Sequence, residues 1–88
     1  MKTYKYIVTG KVQGVWFRKN TKQIATQLGM TGYANNLVTG QVKVMATGSD
    51  EQHKELKAFL HVGSENAEVQ TVDIEEMPQT SFEDFTTG

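Results

Sequence analysis

The sequence predicts an α+β fold of order β-α-β-β-α-β, in which two helices cover one face of an antiparallel sheet. Three observations carry that reading. Apolar and polar residues alternate near the N-terminus and again across residues 41–46, helical spacing takes over after residues 17 and 49, and a glycine stands wherever one pattern yields to the next. Eighty-eight residues make one domain, 1–88, with room for one shared core.

In the first strand Tyr4, Tyr6, Val8, Gly10 and Val12 share a face, while Lys5, Thr9 and Lys11 share the other, with Ile7 as the only irregularity. A glycine turn through Gln13-Gly14 follows, and from Phe17 the period changes. Phe17, Ile24, Ala25 and Leu28 fall on one side of a helix whose outer side carries Lys19, Lys22, Gln23 and Gln27, and Gly29 ends it. A short strand around Tyr33–Asn36, the loop Leu37-Val38-Thr39-Gly40 and a third strand form a hairpin. In that third strand Val42, Val44 and Ala46 face inward and Gln41, Lys43 and Met45 outward. Ser49 or Asp50 opens the second helix with Gln52 set for a capping box, and Leu56, Phe59 and Leu60 form its buried stripe up to Gly63. His53 and His61 lie on this helix without a third ligand nearby, and read as solvated residues. Ala67 to Met77 is a fourth strand. Its inward face shifts from Ala67 and Val69 to Val72 and Ile74, which predicts a bulge; Pro78 closes it, and Phe82–Phe85 can add a short edge strand.

Composition narrows the chemistry. With no cysteine there is no disulfide, thiolate nucleophile or zinc–thiolate site. No apolar run reaches membrane-spanning length and the N-terminus has no signal-peptide core, so the expectation is a cytoplasmic protein without a membrane partner. Charge is unevenly spread: residues 1–48 hold seven Lys or Arg and no carboxylate, whereas residues 49–88 hold two Lys and all ten carboxylates. An anion site built from the first half meets no carboxylate nearby in sequence, although a small fold can interleave its halves.

Within that first half, Gly10 to Arg18 has the order of a phosphate cradle. A glycine turn between strand and helix leaves several backbone N–H groups without partners, and the helix dipole adds positive potential at the same spot. Arg18, the only arginine, falls on the first helical turn, where its planar fork suits bidentate phosphate binding. For Trp16, the expectation is a partly exposed loop aromatic without a chemical role.

Gly10-x-Val12-Gln13-Gly14-Val15-x-Phe17-Arg18, followed by Gly32-Tyr33-Ala34-Asn35-Asn36-x-x-x-Gly40-x-Val42 and then Gly48, resembles the two motifs of the acylphosphatases in residues and in separation. Gly63, Ala67, Val69 and Val72 also fit, so the resemblance spans nearly the whole chain. It implies a ferredoxin-like fold and hydrolysis of the carboxyl–phosphate anhydride of small acyl phosphates, without metal or cofactor. The backbone amides of Gln13, Gly14, Val15, Trp16, Phe17 and Arg18, with the Arg18 guanidinium, then hold the phosphate, and Asn36 orients the attacking water. Two features depart from the family. Asn35 stands where relatives usually carry Lys, Arg, Gln, Ala or Met, and Phe85-Thr86-Thr87-Gly88 lacks their basic or aromatic ending.

The two motifs contain no Cys, His, Asp or Glu, so the nucleophile is water. Asn36 can position that water but not deprotonate it, which leaves a phosphate oxygen as the proton acceptor. The expected partners are a small acyl phosphate, with inorganic phosphate or sulfate as competing anions, and the expected state is a monomer. An RNA-binding module of the same strand order needs stacking aromatics on its central strands, and Val42-Lys43-Val44-Met45-Ala46-Thr47 has none, so no nucleic-acid partner is expected. A catalytically idle relative that binds an anion or a partner chain through the cradle is the remaining alternative.

Overall fold

The computed structural model describes residues 1–88. The elements run β1 (Lys2–Lys11), α1 (Phe17–Gln27), β2 (Thr31–Asn36), β3 (Val42–Gly48), α2 (Asp50–Val62), β4 (Glu68–Met77) and β5 (Phe85–Thr87). One five-stranded sheet has the order β4-β1-β3-β2-β5. β1 is flanked by β3 and β4, both antiparallel to it, while β5 runs parallel to β2. The sheet is therefore mixed, because the added strand, which begins at Phe85 rather than Phe82, lies parallel to β2 on its free edge.

Alternation sets the core. Tyr6 and Val8 of β1, with Val12 just beyond it, meet Val42, Val44 and Ala46 of β3 and Ala34 of β2, beneath Phe17 and Ala25 of α1 and Leu56 and Leu60 of α2. Burying one such large side chain contributes about 1.5–3 kcal/mol, so the helices are held chiefly by this apolar face. Ser49 caps α2 with the capping box that Gln52 completes. The β4 bulge is present: Thr9 pairs with Thr71 and Gly10 with Val69, so Gln70 is the extra residue that shifts the inward face. Gly10 is required there, since a Cβ would lie 2.0 Å from the Glu68 carbonyl oxygen.

Three further expectations change. Met45 is buried although it lies on the open face, because it sits on β3 between Lys5 of β1 and Tyr33 of β2. Ile74 points inward but stays 39% exposed, since β4 is the sheet edge. His53 is not solvated. It is buried, with Nε2 2.8 Å from the Lys2 carbonyl oxygen and Nδ1 2.6 Å from the Tyr6 hydroxyl.

A carbonyl can only accept, so Nε2 carries the proton and Nδ1 accepts from Tyr6. Burial pushes the His53 pKa down, against weaker opposing effects of the Lys2 carbonyl and the Asp50 carboxylate. Tyr4, Tyr6 and Lys2 on β1 and Asp50 on α2 are its other polar neighbours, and Lys2 pairs with Asp50 at 3.4 Å. In the unfolded chain histidine takes up a proton near its ordinary value of about 6.5. The folded chain resists that proton, so stability is lost as pH falls through this range. Wild type is expected to lose melting temperature more steeply between pH 7 and pH 5 than a His53→Gln variant; parallel slopes would remove His53 from the acid response.

Candidate functional site

The turn between β1 and α1 is anchored in the core at both ends, by Val12 and Phe17, each 1% exposed. Phe17 packs against Phe59 of α2 with ring centroids 6.1 Å apart. Between these anchors Gly14 has φ 72° and Trp16 has φ 64°, whereas Val15 between them does not take a positive φ. Such an alternation of hand turns successive N–H groups toward one concave side. Trp16 is the N-cap of α1 but supplies no side-chain cap, and the first bond into the helix is Asn20 N–H to the Trp16 carbonyl. None of the turn, loop or capping bonds is donated by an N–H group of Gln13 through Arg18. The predicted cradle residues thus gather as a set of free donors at a positive helix end.

Arg18 rises from the first turn of α1, half-buried, and takes part in neither of the two ion pairs. Those pairs, Lys2–Asp50 and Lys5–Glu75, join lysines of the first half to carboxylates of the second, so the halves do interleave, but away from the cradle. One guanidinium N–H of Arg18 donates to the carbonyl oxygen of Gly88. Val12, Gly14, Trp16, Phe17 and Arg18 line a pocket of about 210 Å³.

Asn36 ends β2. It pairs with Val42 and shares the parity of buried Ala34, so its side chain leaves the sheet on the face that the helices cover. Asn35 has the opposite parity, pairs with Lys43 and lies beside Gly88, where a Cβ would come within 2.4 Å of its Oδ1. Two ties bracket Asn36. On one side Gly88 donates its N–H to the Ala34 carbonyl at 3.3 Å while accepting from Arg18. On the other, the Gln13 side-chain amide donates to the carbonyls of Leu37 and Gln41, at 2.8 and 3.0 Å, across the mouth of the hairpin turn. The cradle and the strand end are therefore joined on both sides of Asn36, through Ala34 before it and Leu37 after it.

The Gln13 side-chain bonds go beyond the sequence expectation, which gives a role to its backbone alone. Ser64 was missed as well: its hydroxyl donates to the Val15 carbonyl at 2.7 Å and holds the turn from the α2–β4 loop. Neither bond follows a periodic pattern, so nothing local in the sequence announces it.

A protein-family model described as Acylphosphatase matches residues 4–87. The chain belongs to the acylphosphatase family. An acylphosphatase from Marinobacter nauticus is 45% identical over 82 residues, covering 92% of this chain and 89% of that one. Another, from Hahella chejuensis, is 48% identical over 80 residues, covering 86% and 85%. Among solved structures, the acylphosphatase from Coxiella burnetii superposes with a TM-score of 0.95 at 33% identity, over 99% of this chain and 92% of that chain. The acylphosphatase from Bacillus subtilis gives 0.96 at 26% identity, over 100% and 99%. With these likenesses covering 99–100% of the chain, the chain has the ferredoxin-like fold with a short fifth edge strand. No helix of the chain is long and apolar enough to cross a membrane.

Proposed function

We propose that the chain hydrolyses small acyl phosphates, with the phosphate held by the backbone N–H groups of Gln13 to Arg18 and the Arg18 guanidinium, and with Asn36 orienting the attacking water. Family membership supplies the reaction type. The observation that carries the assignment of residues is the run of unpartnered N–H groups from Gln13 to Arg18, curved by left-handed Gly14 and Trp16 and flanked by an arginine that pairs with no Asp or Glu side chain. Donors fixed before the substrate arrives neutralise the equatorial phosphoryl oxygens without reorganisation, which is where such sites gain most of their rate.

The step balances without a further reactant. The water oxygen forms a bond to phosphorus as the bond from phosphorus to the acyl oxygen breaks, and that electron pair leaves on the carboxylate. A phosphate oxygen takes the proton from water. Asn36 accepts a hydrogen bond from the water through its carbonyl and fixes its line of approach. The cradle presents only N–H donors and a cation, which repel a metal ion, and no group of three or more His, Cys, Asp or Glu side chains is placed to hold one. Cytoplasmic residence and the monomeric state belong to the same reading.

Benzoyl phosphate hydrolysis, assayed with and without a chelator, tests it: equal rates are expected, and activity that appears only on adding a divalent ion sinks the mechanism. Inorganic phosphate or sulfate should inhibit competitively. A ligand bound only to the native state stabilises it by about 2.7 kcal/mol at a hundred times its dissociation constant, so phosphate should also raise the melting temperature. If an Arg18→Ala variant is stabilised equally, the anion binds elsewhere.

A further inference from the structure

Trp16, expected to be idle, stands at the mouth of the cradle. It is 71% exposed and, with Val12, Gly14, Phe17 and Arg18, is one of the residues that line the pocket of about 210 Å³. A bulky residue at φ 64° and ψ 16° occupies a region that glycine enters freely and that tryptophan enters only at a cost. Nothing in the core requires the ring there, since Val12 and Phe17 already anchor the turn. The ring is nevertheless oriented: the Lys19 ammonium lies 5.2 Å from its centroid. Lys19 itself is not among the residues that line the pocket. A second exposed apolar side chain, Val38, sits on the hairpin turn that Gln13 ties to the cradle.

Phosphate contacts alone do not distinguish one acyl phosphate from another. Whatever discriminates must touch the acyl group, which projects out of the cradle along the leaving-group direction. Arg18 and the backbone donors supply nothing apolar for it, whereas an indole supplies a broad, rigid face. We propose that Trp16 is the acyl-recognising wall of this site and that it favours aryl and other bulky apolar acyl phosphates over acetyl phosphate. The inference rests on the phosphate-binding role proposed above for the cradle.

Benzoyl and acetyl phosphate, compared by kcat/KM in wild type, Trp16→Gly and Trp16→Asn, provide the test. Glycine and asparagine both tolerate the left-handed backbone, so the cradle keeps its shape. An aromatic pair is worth a factor of roughly three to ten, and the ring contact is made in the ground state as well as in the transition state. Benzoyl phosphate is therefore expected to lose roughly three- to tenfold more kcat/KM than acetyl phosphate, through KM rather than kcat. Because Trp16 is the only tryptophan, quenching of its fluorescence by benzoyl phosphate in excess of that by inorganic phosphate gives a second readout. Equal losses on both substrates in both variants would overturn the role for Trp16 while leaving the cradle reading intact. A wild type that hydrolyses neither substrate would overturn both.

Discussion

Replacing Arg18 with lysine is expected to lower kcat/KM for benzoyl phosphate by roughly 10²–10³-fold, the cost of removing a preorganised donor from a charge-stabilising site, while the fold survives. Charge is conserved in this variant, so the loss isolates geometry. The guanidinium can commit one N–H to the Gly88 carbonyl and still present its remaining donors in a plane toward the phosphate. An ammonium gathers its donors at one point and cannot serve both places. Arg18 is half-buried and contributes no apolar packing of the kind Phe17 provides, so circular dichroism and melting temperature should change little. A lysine variant that retains most of the wild-type rate would show that Arg18 does not ligand the phosphate.

The second large effect separates two adjacent asparagines. Asn36→Ala is expected to cut kcat by roughly 10²–10³-fold, the scale of losing a positioned reactant, with the inhibition constant of inorganic phosphate nearly unchanged. Arg18 and the turn amides, which hold the phosphate in the proposed mechanism, are untouched by that change. Asn35→Ala should behave almost as wild type, because residue 35 leaves the strand on the face opposite the helices. An inactive Asn35→Ala alongside an active Asn36→Ala would shift the register of the site by one residue. If both variants keep their rate, no asparagine positions the water.

How far the fold was legible depended on whether the determinant was local. The capping box at Ser49 and Gln52, the glycine after α1 and the inward shift along β4 are written in neighbouring residues, and each appears where the pattern put it. Met45 misled because alternation reports only which face a side chain takes, not whether neighbouring strands cover that face. His53 does carry a local signal: it lies three residues before Leu56 and seven before Leu60, on the buried stripe of α2. Its partners, Tyr6 and the Lys2 carbonyl, lie at the other end of the chain, so the reason a polar ring can sit there is tertiary. The candidate site divides in the same way. The glycine turn and Arg18 are contiguous and readable, whereas the Gln13, Ser64 and Gly88 ties that hold them in register join segments distant in sequence.

The placement of β1 between β3 and β4 bears on how the molecule is made. β1 is made before the other strands of the sheet, but its pairing with edge strand β4 joins Thr3 to Met77, residues far apart in the chain. Forming that pair means closing a very long loop before the contacts that reward closure exist, which places folding among the slow, topology-limited cases. The turn that follows β1 is tied by Ser64 and Gln13 to segments synthesised later, so the nascent chain carries the glycine turn well before it can carry an ordered anion site. Activity should therefore return during refolding no earlier than the pairing of β1 with β4.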